Sequence, residues 1–234
     1  MKQNILYSAS FILGMLLLGL CIKGGIDNFA NKDRQVTVKG LAEQEVPADK
    51  VTWPISTKEI GDDLPALYAK INQTNQTIRQ FLQAGGIKDS EITTGAPTVI
   101  DLNAERYNEN RRPYRYNITS TITVSSNQVD RVRQLMARQG ELLQKGIAIV
   151  EGDYDSPKVK YELVSFPSMK GKMMTEAIKN AEATAQQFAE NSHSTLNKIT
   201  RADQGQFSID DRDDNTPHIK KVRVVTTVTY SLKD

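Results

Sequence analysis

The chain has 234 residues, 25% charged and 38% hydrophobic, which is enough apolar material for a buried core in one or two domains. Its net charge is +2; setting aside Lys2 and Lys23 leaves 28 basic residues (30 − 2) against 28 acidic ones. A neutral body gives no electrostatic case for nucleic acid or an anionic surface, and a single cysteine, Cys21, excludes an internal disulfide framework or a thiolate metal cluster.

Residues 5–22 form an uncharged apolar run between Lys2 and Lys23. As a helix at ~1.5 Å per residue the run reaches about 27 Å, close to the hydrocarbon thickness of a bilayer. It is expected to be an uncleaved anchor, residues 1–23. A signal peptide would need a small-x-small cleavage site, and none stands in a convincing place. Leu18-Gly19-Leu20-Cys21 is similar to a lipoprotein box, but Leu20 is not small. The expected location is the inner membrane, single-pass, with the soluble part in the periplasm. Basic residues on the two sides are too balanced to fix the orientation by themselves.

Residues 24–35 are expected to be a polar linker. Val36-Thr37-Val38 begins a first strand. Val51, Trp53, Ile55 and Thr57 alternate as in a half-buried strand, and Pro54 places it at an edge or a bulge. Asp62 or Asp63 then caps a helix with Pro65 in its first turn; Leu64, Leu67, Ile71, Ile78 and Phe81 make its apolar stripe, and Gly85-Gly86 ends it. Ile92 to Leu102 is expected as one strand and Ala104 to Pro113 as a charged turn. Tyr114, Tyr116, Ile118, Ile122 and Val124 then face one way, with Arg115, Asn117, Thr119, Thr121 and Thr123 opposite.

A short helix follows, with Asn127 as its expected cap and Val129, Val132, Leu135 and Met136 as its apolar face. Ile147 to Val150 and Lys158 to Val164 are expected strands, joined by a turn at Asp155-Ser156-Pro157. A long helix begins near Ser168, with Met169, Met173, Ala177, Ala181, Ala185 and Phe188 as a stripe whose small residues allow close approach to a sheet. Leu196 to Ile209 reads as a strand region, Asp210 to Pro217 as a polar turn, and Val222, Val224, Val228, Tyr230 and Leu232 as an alternating final strand. The expected fold class is α+β: two strand-helix-strand-strand units, about 46–126 and 147–232, with antiparallel sheets and helices packed on one face, preceded by an N-terminal transmembrane helix.

Several stretches together resemble one family. Val36 to Gly40 followed by Glu45-Val46-Pro47-Ala48-Asp49 is similar to the opening of SIMPL-domain proteins. Gly85 to Ile92 resembles their helix-to-strand turn, Met173 to Ala189 their Ala-rich helix, and Gln204 to Ile209 with Lys220 to Tyr230 their final hairpin. The likeness spans roughly residues 36–233, nearly all of the expected soluble part. It implies a bacterial cell-envelope protein, in some cases linked to oxidative or general stress defence and in some forming large homo-oligomers. It implies no catalytic residues.

The residues by themselves carry little chemistry. His193 and His218 are the only histidines and stand in no metal-binding spacing. Asp210 to Asn215 invites a calcium reading, but a loop starting at Asp211 has Thr216 and Val222 where Gly and Glu are required, so a solvated tip is expected. Trp53, Tyr114 and Tyr116 could line a groove, although strand aromatics more often pack in a core. Asn72, Asn75 and Asn117 head glycosylation-type triplets. Glu43, Glu45 and Asp49 are the candidate carboxylates for an enzyme. The expectation is no catalytic, cofactor or metal residues, no cofactor, no nucleic acid, the membrane as one partner through the helix, and a second copy or another protein as the other. A small-ligand carrier and a carboxylate enzyme are the alternatives.

Overall fold

The computed structural model describes residues 2–30, 34–104, 113–150 and 157–233, with the side chains of the first helix described over 12–26. That helix, α1, spans Lys2–Ala30. It continues through Gly24 and Gly25, so the first part of the expected 24–35 linker is helical; two glycines weaken a helix by about 1 kcal/mol each without breaking its backbone ladder. Its side chains over 12–26 are all exposed. Among the described residues no helix is long and apolar enough to cross a membrane, and residues 5–22 lie partly outside those whose side chains are described.

The chain divides into two compact units, one of residues 1–44, 167–209 and 221–234, the other of residues 45–166 and 210–220. The second contains β2 (Lys50–Gly61), α2 (Leu64–Ala84), β3 (Ile92–Thr94), β4 (Thr98–Asp101), β5 (Tyr116–Ser126), α3 (Val129–Ala137), α4 (Gly140–Gln144) and β6 (Lys160–Glu162). Its sheet has the order β3-β5-β2-β6, with β4 also beside β5. β2 and β5 run antiparallel from Val51 opposite Ser126 to Gly61 opposite Tyr116. Alternation therefore puts Val51, Trp53 and Ile55 on the same face as Ile122 and Val124, and α2 and α3 bury that face with Ile78, Phe81, Leu82, Val132 and Leu135. Asp63 caps α2 by accepting from the Ala66 amide (3.2 Å), and Gly86 takes φ +86° just past its end. Pro54 sits opposite Thr123; among the described residues, pairing on the other flank of β2 covers Lys50–Thr52 and touches again only where Thr57 meets Ile149. A proline is suited to such a locally open flank.

Four expectations change here. The 92–102 strand is two, broken at Gly95-Ala96-Pro97, because Pro97 has no N–H to donate. The cap position of α3 is Gln128 rather than Asn127. Ile147–Val150 gives only the single bridge at Ile149, and Lys158–Val164 gives only the three residues of β6. The charged turn within 104–113 and the turn at 155–157 fall mostly outside the described residues.

The first unit contains β1 (Gln35–Pro47), α5 (Phe166–Asn191), β7 (Thr195–Asp203), β8 (Phe207–Asp211) and β9 (Ile219–Lys233), with its outermost strand residues numbered into the other unit. The order is β1-β9-β7, with β8 beside β9. Val38, Val228 and Tyr230 pack against Ala181 and Ala185. Met173, Ala177, Ala181, Ala185 and Ala189 form the buried stripe of α5, whereas Phe188 is 57% exposed, which corrects its assignment to that stripe. The 196–209 region is two strands separated at Gln204-Gly205-Gln206.

The two sheets are joined in a similar way, but the strands of the second set do not all fall within the expected 147–232. β2-α2-β3-β4-β5 and β1-α5-β7-β8-β9 have the same arrangement: the last strand lies beside the first and beside both middle ones. The opening strand of the second set is thus β1, before the other set, and β6 pairs with β2 instead.

Candidate functional site

The second unit carries an open depression of about 600 Å³. One wall is the corner Pro47-Ala48-Asp49, the other the start of α3 with Asp130, Arg131 and Gln134. Backbone bonds fix the corner: the Ala48 amide donates to His218 O (2.8 Å) and the Asp49 amide to Glu162 O (3.0 Å). The Asp49 carboxylate accepts from the amides of Val164 (2.6 Å) and Ser165 (2.7 Å). Partial burial pushes this carboxyl up, but hydrogen bonds from Ser165 and from those amides more than offset it, leaving the pKa below its ordinary value. Across the depression, Asp130 pairs with Arg133 (3.5 Å) and Arg131 donates to Gly86 O (3.3 Å).

The three candidate carboxylates are each engaged separately. Glu43 pairs with Lys221 (2.8 Å), Glu45 with Arg212 (3.5 Å), and Asp49 holds two amides. His193 follows the end of α5 at φ +54°, a left-handed residue that lets the Ser194 amide reach back to Ala189 O (2.9 Å). His218 meets Tyr161 edge-on at 6.1 Å between ring centroids, and the Tyr161 hydroxyl points at Met136 Sδ (3.8 Å). Burial first, then the Arg133 and Arg212 guanidinium groups, hold the imidazole pKa below its ordinary value, while Asp130 and Asp213 act in the opposite sense.

The acidic run at 210–215 is a hairpin tip organised by one of its members. Asp213 accepts from the amides of Asn215 (2.9 Å) and Thr216 (2.8 Å), from the Thr216 hydroxyl, and from Arg212 (3.1 Å). The Thr216 hydroxyl contributes most to lowering its pKa to about 2. Asp211 pairs with Lys220. Among the described residues no group of three or more His, Cys, Asp or Glu side chains could hold a metal ion. Trp53 is core, 4% exposed, while Tyr114 is 44% exposed and Tyr116 carries the Arg115 guanidinium over its ring at 4.9 Å. Asn75 bonds Ser120 (3.0 Å).

A model of the SIMPL family, described as a protein of unknown function (DUF541), matches residues 36–230. The chain belongs to the SIMPL family. No curated protein matches it. Within this SIMPL domain the corner at Pro47-Ala48-Asp49 was visible in the sequence as a turn, but not as one wall of a depression. The opposite wall is about eighty residues away, and no local pattern marks Gln128, Arg131 or Gln134 as its neighbours.

Proposed function

We propose that this SIMPL-family chain is a non-enzymatic, membrane-tethered protein of the cell envelope that acts by binding protein chains, copies of itself included, in stress defence. The observation that carries the reading is the engagement of the charged side chains. Glu43, Glu45, Asp49, Asp130 and Arg131 each have a partner inside the chain, so unmet bonding capacity lies in strand edges rather than in a converging acid–base set. The uncharged run at 5–22 and the exposed side chains of α1 over 12–26 support tethering to the inner membrane, with residues 36–234 in the periplasm. The open depression at Asp49 favours, as a second reading, a carrier of a small polar ligand.

The test combines fractionation with cross-linking in intact cells, with and without oxidant. The protein-binding reading expects full-length chain in the membrane fraction, with cross-linked species that change on oxidation. Full-length chain in the cytosol, or membrane chain that cross-links to nothing, refutes it. A retained small molecule in native mass spectrometry shifts the balance to the carrier.

A further inference from the structure

We infer that β1 is a docking edge for a second copy of this chain, paired antiparallel about a twofold axis at Leu41. The inference rests on the protein-binding reading above and names its surface.

Free strand edges attract other strands, and proteins usually blunt them by shortness, bulges or cover. β3 and β6 are three residues each, and the pairing of β7 with β9 shifts register twice, between Leu196 and Ile199 and between Ile199 and Arg201. β1 is not short, and the one cover on its open flank among the described residues is the Asn180 side chain at Leu41 O. It is thirteen residues long, its burial alternates regularly from Val36 to Glu43, and among the described residues no strand lies on its other flank.

Two hydrogen bonds fix which backbone groups face outward. Arg34 O accepts from the Leu232 amide of β9 (2.9 Å), whereas Leu41 O is left for the Asn180 side chain (2.7 Å). Alternation along the strand therefore turns the backbone N–H and C=O groups of the even residues to β9 and those of the odd ones, Thr37, Lys39, Leu41 and Glu43, to the open side. The second lone pair of Leu41 O is available to an incoming N–H.

Charge selects both the partner and the register. In an antiparallel pair centred on Leu41, Lys39 lies opposite Glu43 of a second copy, and Glu43 opposite its Lys39. Leu41, 42% exposed, meets its own symmetry mate. The interface is isologous and closes as a dimer. Glu43 keeps Lys221 as a neighbour on its own sheet, so it sits between two cations. Parallel pairing would place Lys39 against Lys39 and is disfavoured.

The test uses the full-length chain in detergent micelles. Lys39→Glu and Glu43→Lys each convert both cross-strand pairs to like charges, and each alone weakens self-association on the order of tenfold. Mixed together, the two variants regain complementary pairs at both positions and form a heterodimer as tight as the wild-type dimer. Both side chains are exposed; Glu43→Lys turns the surface pair with Lys221 into a like-charge contact that solvent screens, and circular dichroism with thermal melting checks that each variant stays folded. In a Cys21→Ser background, Leu41→Cys forms a disulfide-linked dimer, because directly opposite residues sit about 5.5 Å apart. If wild type assembles but the mixture is no tighter than either variant, or the Leu41→Cys variant fails to cross-link, β1 is not the interface and only this inference is lost. If wild type stays monomeric at every concentration, self-pairing is overturned, and the protein-binding reading then stands or falls on the cross-linking in cells.

Discussion

Gly40→Ala adds a single methyl group where the first unit leaves no room for one. A Cβ at Gly40 would lie 1.9 Å from Ala177 O and 2.8 Å from Ala181 Cβ. Ordinary contacts of this kind need about 3.5 Å, so β1 and α5 must separate by roughly 1 Å or more. The obstacle is helix backbone, which cannot swing aside as a flexible side chain could. Overpacking of this kind costs about 1–3 kcal/mol, occasionally more, and reduced unfolded-state entropy returns about 0.4–1. The net expectation is a loss of about 2 kcal/mol, felt where Ala181 and Ala185 pack on Val38, Val228 and Tyr230. Fluorescence is the wrong probe, because the only tryptophan, Trp53, belongs to the other unit. Hydrogen exchange read peptide by peptide is the right one: amides of β1 and α5 should exchange on the order of thirty times faster. Gly171→Ala, on the same helix with nothing within 4 Å, is the control and should be neutral or mildly stabilising. Gly40→Ala exchange rates within twofold of wild type would refute the close-approach argument.

Ile122→Ala removes a side chain 1% exposed in the cluster that contains Trp53, and should cost about 2–5 kcal/mol in denaturant unfolding followed by Trp53 fluorescence; a loss below 1 kcal/mol would mean the site collapses freely. Asp213 has its folded pKa lowered from 3.8 to about 2, so its contribution is present above pH 3.8 and disappears as pH falls toward 2. NMR should show the Asn215 and Thr216 amides losing protection in that window, and Asp213→Asn should remove the transition. His218 has its folded pKa lowered from 6.5, so the unfolded chain takes up a proton first, and stability falls as pH drops below about 6.5. His218→Phe should flatten stability against pH between 6.5 and 5; an unchanged slope would show that another group sets it.

What could be read from the sequence was local, and what could not was set by contacts far apart in the chain. The alternation in residues 116–126 and the stripe of α2 were legible because one element buries one face, and each side chain declares its face by position. Phe188 was misassigned because an apolar residue near the end of a stripe looks like part of it. The helix lies too close to Gly40 for large side chains along that line, so alanines fill the stripe and Ala189 takes the final buried place. The break at Gly95-Ala96-Pro97 was masked by strand-like residues on both sides. The pairing of β1 with β9, and the meeting of Asp49 with the start of α3, have no sequence signature, since they exist only once distant segments are brought together.

That separation has a kinetic consequence. The Thr37 and Thr229 hydroxyls bond across β1 and β9 at 192 residues' separation, while Ser56 and Thr121 bond across β2 and β5 at 65. Loop closure grows as three-halves RT times the logarithm of length, so pairing β1 with β9 costs about 1 kcal/mol more in chain entropy than pairing β2 with β5. Among the described residues, the unit built on β2 and β5 also buries twenty hydrophobic residues, against eleven in the unit of β1, α5 and β9, five of those eleven being alanines. Both terms favour the inserted unit forming first. Pulse-labelled hydrogen exchange during refolding should find amides of β2 and β5 protected before those of β1 and β9. Val228→Ala should then leave the first phase untouched and slow or weaken the second, whereas Val124→Ala should slow the first. Simultaneous protection of all four strands, or β1 and β9 ahead, would show that closure entropy does not order the steps.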